Sequence, residues 1–278
     1  MFVRSFIVVR NKSETAESTL AKRHIHEEWR DNYRTPDNEH FYRMAFAHIA
    51  KVFDAPDGAQ VLDAGCGSCA KSRHLVDQGL TVLGTDLSDS ALDMARVELR
   101  GTQYESNIEL RQENLTSISL ADDVMQYIVC WGVLMHVPDV TSAVAELSRI
   151  LGPGGKIAIS EANKRSLQSR FFRFLKWIFR RERAEVINTP AGTENWEETD
   201  DGRLMTRQAD TGWLIREFGK HGLTLVDHRA GQFSELYWVV PTVLLKKAIH
   251  WFNWCWFRLI RVPGPAFGNI LIFQRRQE

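Results

Sequence analysis

Net charge is what this chain lacks first. Its 35 basic and 35 acidic residues cancel, so the molecule as a whole has no electrostatic reason to seek nucleic acid or strongly acidic substrates. Cysteine is scarce, with four in 278 residues, and no leader pattern opens the sequence. Together these point to a reducing cytoplasm and make disulfides unexpected. Long apolar runs are missing too: the opening MFVRSFIVVR is broken by Arg4 and Arg10. It is too short to span a bilayer and reads as an edge strand or ordered tail. Internal repeats and low-complexity linkers are absent, and the length suits one large α/β domain carrying insertions.

What is present is an alternation. Branched apolar runs at 60–64, 80–86, 108–112, 127–131, 156–161, 223–229 and 269–273 read as strands, and 70–78, 88–100, 140–151 and 207–221 have helical spacing. Such alternation predicts a mostly parallel sheet covered on both faces. Ser88, Asp89 and Ser90 are candidate caps of the second of these helices, and Gly152-Pro153-Gly154-Gly155 is expected to end the third before the fifth strand. Upstream, 36–53 is expected to be a helix that turns Met44, Ala45, Phe46 and Ile49 to the sheet. The region before it, with Trp29 and Tyr33, is a candidate cap over a ligand, and His40 a further one.

The stretch VLDAGCGSCAKSRHL, residues 61–75, runs from a strand through Gly65 and Gly67 towards a helix. Glycines at such a turn also open dinucleotide sites. Asp63, at the strand end, would repel a pyrophosphate and welcome an ammonium group. Asp86 closes the second strand 23 residues later, one β-α-β passage on. A carboxylate there accepts hydrogen bonds from a ribose diol, or else caps the helix; alone, the spacing leaves both readings open. Cys66-x-x-Cys69 suggests metal or redox chemistry, but no second cysteine pair completes a zinc site.

With Glu113-Asn114-Leu115 after the third strand, WGVLMHVPD after the fourth and SRILGPGGKIAIS into the fifth, residues 61–160 resemble the class I S-adenosylmethionine (SAM)-dependent methyltransferases, most closely the bacterial small-molecule branch. The resemblance implies a Rossmann-like, seven-stranded, mostly parallel sheet with an antiparallel last strand, and SAM as cofactor. It implies that Asp63, Gly65, Cys66 and Gly67 lie against the methionine part of SAM, Asp86 at the ribose, Leu87 on adenine, Asn114 and Leu115 at the adenine end, and Trp131 beside them. The Asn114 amide oxygen is expected to accept the adenine amino group. Cys69 departs from the family, standing where a third glycine is frequent. No metal site is expected.

Methyl transfer from a sulfonium is an in-line displacement, so positioning the acceptor is the main task and a general base is optional. His136, just beyond the fourth strand, is the catalytic candidate, as base or acceptor orienter; a loop-stabilising histidine beside Pro138 is the other reading. His24 and His26 are expected to be solvated rather than metal ligands. The Asn/Asp-Pro-Pro-Tyr/Phe signature of amino-methylating nucleic-acid enzymes is missing after the fourth strand, so no nucleic-acid partner is expected.

The division expected along the chain is 1–55 cap and helix, 56–162 SAM-binding core, 163–206 basic aromatic lid, 207–229 core continuation, 230–268 aromatic amphipathic insertion and 269–278 last strand and tail. From Lys164 to Arg183 there are eight basic residues and one acidic, with Phe171, Phe174, Leu175 and Ile178 on one helical face and Arg170, Arg173, Lys176, Arg180 and Arg181 around it. In the second insertion Lys246, Lys247, His250, Asn253 and Arg261 make a polar stripe beside many aromatics. Both match helices that lie in a membrane surface. Packing on each other or across a homodimer is the competing reading. Residues 188–207 are expected to form a mobile loop over the site, with Trp196, Arg203 and Arg207 in ordinary surface roles, acceptor recognition being the other reading. The function expected is methylation, through oxygen, of a small hydrophobic or lipid-linked acceptor by a cytoplasmic protein touching the inner face of the membrane. A membrane-associated SAM-binding or assembly protein without turnover is the alternative, and an NAD-dependent oxidoreductase, disfavoured by Asp63, the third.

Overall fold

The structure, a computed structural model, describes residues 34–179, 185–199 and 202–277, together with residues 19 and 22. The expectations for the opening segment, for His24, His26, Trp29 and Tyr33, and for Arg180, Arg181 and Arg183 lie outside the described residues.

Helix α1 (Pro36–Phe53) starts where the Thr35 hydroxyl accepts the Asn38 N–H, with proline in its first turn. Phe41, Ala45, Phe46, Ile49 and Phe53 recur at helical spacing and are buried, while Met44 packs at the edge of the same layer. The chain then runs β1 (Gln60–Ala64), α2 (Arg73–Val76), β2 (Thr81–Asp86), α3 (Asp89–Leu99), β3 (Ile108–Gln112) and β4 (Met125–Trp131). A 3-10 turn (Leu134–His136) leads to α4 (Val140–Ile150) and β5 (Leu151–Ala162). After an insertion come α6 (Thr211–Lys220) and β9 (Leu223–Ala230), and after a second insertion β10 (Gly268–Arg275). The large sheet has the order β3-β2-β1-β4-β5-β10-β9, with β10 antiparallel to both its neighbours and the other pairings parallel.

Period-two alternation sorts side chains into two cores. Along β10, Leu271 and Phe273 join the layer of α4 and α6, whereas Ile270 and Ile272 join that of α1. A strand buried on both faces must be apolar throughout, which is why these segments were legible as runs.

Several local expectations change. The first helix after the glycines is only Arg73–Val76, because Cys69 sits in the left-handed region at φ 57° and the chain turns before it can wind. The glycine-proline stretch does not separate helix from strand: β5 begins at Leu151, and between the pairs Met125–Leu151 and Tyr127–Lys156 the register shifts. The extra residues form a bulge that Gly154, at φ 73°, accommodates.

Residues 188–207 are not a loop. After α5 (Leu167–Phe179), strands β6 (Glu185–Thr189), β7 (Gly192–Thr199) and β8 (Gly202–Ala209) form a three-stranded antiparallel sheet. Since β8 continues to Ala209, the boundary expected after 206 falls inside a strand, and Asp210 rather than Arg207 starts the following helix by accepting the Trp213 N–H. A Cβ at Gly192 would stand 2.2 Å from the Gln208 carbonyl oxygen, so the hairpin requires glycine there.

Arg207, expected at the surface, is 2% exposed. It donates to the carbonyls of Leu134 and Val137 at 2.9 Å and of Pro138 at 3.1 Å, and to Glu194 at 2.8 Å. Glu194 also receives the indole N–H of Trp196 at 3.1 Å, and Trp196 is itself buried. Arg203 bridges Glu185 and Glu198. Arg207→Leu removes the cation while leaving a buried carboxylate and three carbonyls unpaired; the expected loss is about 3–5 kcal/mol, read as a lower denaturant midpoint in urea unfolding.

Candidate active site

Between β2 and β4, the central β1 marks the place where successive crossovers go to opposite sides of the sheet, and in open α/β sheets the ligand crevice lies at the carboxyl ends of the strands there. A cavity of about 500 Å³ occupies that position. Gly65, Cys66, Gly67, Asp86, Leu87, Asn114, Leu115, Trp131 and His136 all line it. Asp63 is not on its wall but lies behind it, 3% exposed.

The glycine loop is built to leave room. Gly65 has φ 80° and Gly67 φ 56°, and a Cβ on Gly65 would collide with Val133 at 2.5 Å. Around Gly67 no described residue lies within 4 Å of the same position, and its backbone lines the cavity. Asp86 braces the loop: one carboxylate oxygen accepts the Gly67 N–H and the other the Ser88 N–H, both at 2.9 Å. Capping of α3 falls instead to the Ser88 hydroxyl, which accepts the Ala91 N–H at 3.2 Å. Each Asp86 oxygen keeps a second lone pair for a hydroxyl.

Asp63 accepts the Ser72 hydroxyl at 2.6 Å. Burial pushes its pKa up to about 6, against the pull of that hydrogen bond and of Lys71. Lys71 stands 5.2 Å above the Tyr42 ring and lines the cavity; burial lowers its pKa, opposed by Asp63 and Glu39. Trp131 packs 5.0 Å from the Phe46 ring and 6.0 Å from that of Tyr42, which makes an aromatic wall from β4 and α1.

Asn114 departs from its expected part. Its amide oxygen accepts both the N–H and the hydroxyl of Thr116 at 2.9 Å, an Asx turn that shapes the loop after β3. The lone pairs expected to receive an adenine amino group are already engaged. His136 donates from Nδ1 to the Met205 carbonyl of β8 at 3.0 Å, so the turn carrying it is held by β8 twice, here and through Arg207.

The cysteines are free. The Cys66 thiol is pushed well up by its contact with Cys69 and by burial, the opposite of what a reactive thiolate needs. A Cβ on Gly84 of β2 would stand 3.0 and 3.1 Å from the two sulfurs; their role is close packing. Among the described residues no cluster of His, Cys, Asp or Glu is arranged to hold a metal.

Among the polar residues of the wall that sequence reasoning missed are Glu39, Lys71, Glu161, Gln232 and Glu235. Glu161 carried a signal, an acidic residue closing a buried strand as Asp63 and Asp86 do. Gln232 and Glu235 carried none, since the second insertion brings them in.

An open sheet with this order, a glycine turn after β1 and an acidic residue closing β2 define a nucleotide-binding α/β enzyme class. Residues 62–159 match the family described as Methyltransferase domain. A ubiquinone biosynthesis O-methyltransferase of Alkalilimnicola ehrlichii is 30% identical over 154 residues, covering 54% of this chain and 58% of the relative. One from Acinetobacter baylyi is 26% identical, covering 69% and 76%. The chain spans 58% and 46% of the length of the first two curated relatives it matches. Among solved structures, magnesium protoporphyrin IX methyltransferase from Synechocystis, with its demethylated cofactor bound, superposes with TM-score 0.64 at 14% identity, covering 94% of this chain and 99% of that one. A SAM-dependent methyltransferase from Methanosarcina mazei gives 0.57 at 20% identity, covering 83% and 98%. Residues 62–159 thus match a methyltransferase domain, on a fold shared with solved SAM-dependent methyltransferases, whose cofactor is SAM.

The residues present fit that group. Gly67 offers bare backbone to the cavity, Asp86 retains acceptor capacity, and Asp63 and Lys71 set opposite charges near the glycine loop, as a zwitterionic amino-acid portion requires. Asp86→Ala, titrated calorimetrically, is expected to lose about a hundredfold in SAM affinity, two charge-assisted hydrogen bonds at ~1.5 kcal/mol each, with no gain in NADH binding. Asp63 also predicts a pH dependence. Below about 6 its carboxyl is protonated in the free protein and must ionise to hold an ammonium. SAM affinity is therefore expected to fall roughly tenfold per pH unit as pH drops below that value, and to do so far less in Asp63→Asn.

Proposed function

We propose that this protein transfers the methyl group of SAM to a hydroxyl of a small, hydrophobic or lipid-linked acceptor, which it takes from an anionic membrane surface at the inner face of the membrane. Bound SAM supplies an electrophilic methyl group on a sulfonium. The chain's own residues hold the reactants and exclude water: Gly65 and Gly67 admit the amino-acid portion, Lys71 on the wall meets its carboxylate while Asp63 behind the wall offsets its ammonium charge, Asp86 receives the ribose diol, and Leu87 and Leu115 cover the base. His136, its Nδ1 committed to β8, orients the acceptor, and Trp131 with Tyr42 forms the apolar wall beside it.

The observation that carries the membrane part is an inversion. On α7 (Val243–Cys255) the residue buried deepest is Asn253, whose side chain bonds both the N–H and the carbonyl of Ser234 at 3.0 and 2.8 Å. His250, from the same expected polar stripe, stacks on Tyr237 at 4.3 Å. The expected polar stripe therefore turns inward at these two positions, and Leu244, Trp251 and, beyond the helix, Leu259 are 79%, 65% and 71% exposed. Lys246, Lys247, Arg258 and Arg261 are exposed among them. On α5, Phe171 and Phe174 are more than half exposed beside exposed Arg170 and Arg173. Both helices are tied to one loop, Gln168 of α5 and Asn253 of α7 each bonding Ser234, next to Glu235 on the cavity wall. Apolar side chains amid cations are the chemistry of an interfacial surface for anionic lipid. No helix of the described residues is long and apolar enough to cross a membrane.

Two measurements test this reading. The protein is expected to float with vesicles containing phosphatidylglycerol and not with pure phosphatidylcholine. Phe171→Ser with Phe174→Ser is expected to weaken flotation about a hundredfold, from ~3 kcal/mol of lost burial. Labelled methyl from SAM is expected in an alkali-stable, solvent-extractable product; label found only in protein or nucleic acid would sink the acceptor class. Vesicle-independent dimerisation that covers these faces would sink the membrane part.

A further inference from the structure

Glu161 closes β5 at the same edge where Asp63 and Asp86 close β1 and β2, yet the cofactor residues above make no use of it. Ile157 and Ile159 of β5 belong to the layer of α4 and α6, and Ala158 to that of α1. Alternation therefore puts Glu161 on the α4 and α6 side, by the Leu134–His136 turn. It is 3% exposed and lines the cavity, and among the described residues no side chain donates to either carboxylate oxygen, the amides of Val133, Leu134 and Met135 only pointing towards it short of full hydrogen-bond geometry. Buried polar side chains almost always find partners, because an unpartnered one keeps its full desolvation cost. A carboxyl left open on the wall of a reaction chamber has a job there.

Resting on the methyl-transfer reading, we propose that Glu161 is the general base of the reaction, the group that takes the proton of the acceptor hydroxyl. The acceptor oxygen forms the new bond to the methyl carbon and the carbon–sulfur bond breaks, its electron pair staying on sulfur. The hydroxyl proton passes to the Glu161 carboxylate, so charge and atoms balance with no further reactant. This narrows the acceptor to a phenol or similarly acidic hydroxyl compound, since a thiol or amine nucleophile would gain less from a carboxylate base.

The surroundings suit that task. Burial raises the Glu161 pKa to about 8, although Arg207 and the amides of Val133, Leu134 and Met135 favour the charged form. A carboxylate of that basicity comes closer to a phenol, at about 10, than an ordinary glutamate does, and proton transfer is most effective when base and operating pH match. The titratable and charged groups facing it are Arg207 from β8, Cys130 from β4, whose thiol burial pushes well up, and His136 from the turn. Among the described residues, Arg207 supplies the fixed positive charge on that side.

Glu161→Gln tests the assignment, with octyl gallate, a lipid-tailed phenol, as probe acceptor. In the variant kcat is expected to fall a hundredfold or more, an effect of about 10²–10⁴ for such bases. KM for octyl gallate and SAM affinity are expected to hold within about twofold. Wild-type kcat is expected to rise with pH and level off above about 8, as the carboxyl ionises, while the variant's profile is flat. Independently of turnover, infrared spectroscopy of the wild type is expected to show a protonated buried carboxyl that disappears through the same pH range, is absent from Glu161→Gln and shifts when octyl gallate is added. A variant that keeps the wild-type pH profile, a change confined to KM, or a carboxyl band untouched by octyl gallate each overturns the proposal. Should the variant not fold, the wild-type infrared response to octyl gallate decides alone. Wild-type protein that fails to bind SAM overturns the methyl-transfer reading itself; wild-type protein that methylates octyl gallate with a pH-independent kcat overturns only the role of Glu161.

Discussion

One buried guanidinium holds the reaction side of this molecule together. Arg207 reaches from β8 to three carbonyls of the segment Leu134–Pro138 while Glu194 of the neighbouring strand neutralises it. Without it, the loop after β4 would have to satisfy those carbonyls with water in a place that excludes water. The same arginine ties the inserted three-stranded sheet to the nucleotide fold. Its planar fork of five donors serves several acceptors in one geometry, which a lysine cannot do. His136 therefore stands where it does because a residue of the insertion, 71 positions later in the chain, grips the backbone on both sides of it.

The chamber concentrates carboxyl groups at a low-dielectric edge. Asp63, Glu161 and Glu235 are raised to about 6, 8 and 7 respectively, in each case chiefly by burial. They differ in what opposes burial. Asp63 has the Ser72 hydroxyl and Lys71, Glu161 has Arg207 and the turn amides, and for Glu235 desolvation stands alone. Environments that push like groups apart in pKa allow them to divide roles. A carboxylate by the glycine loop holds a cation, whereas one that changes protonation near neutral pH moves a proton.

The sheet, its order-defining crossovers and the cofactor edge were legible because each depends on short-range pattern. Apolar runs buried on both faces, a helix after each, and an acidic residue closing β2 all repeat within one β-α-β passage. Asn114 shows where such reasoning stops: a side chain placed correctly in the chain spent its acceptor on Thr116, two residues away, and no spacing rule reveals that. The run 188–207 misled for a related reason. Turn-forming residues were read as a loop, but Gly192 serves the close approach of β7 to β8, and polar strands are stable when their neighbours pair them.

The α7 stripe is legible as a stripe, but its members divide: Asn253 and His250 turn inward, whereas Lys246, Lys247 and Arg261 stay exposed. Periodicity reports that a helix has two faces, and which face meets the protein depends on what partner the fold supplies. Ser234 supplied one for Asn253, leaving apolar residues outward. By itself, then, the sequence determined the Rossmann-like sheet, its nucleotide edge and the residues of the glycine loop, since local periodicity and backbone sterics decide these. Only the tertiary structure decided that Arg207 is a buried clamp, that Glu161 is an open carboxyl in the chamber and that α7 turns Asn253 and His250 inward while its lysines stay out, because each depends on which distant group comes within reach.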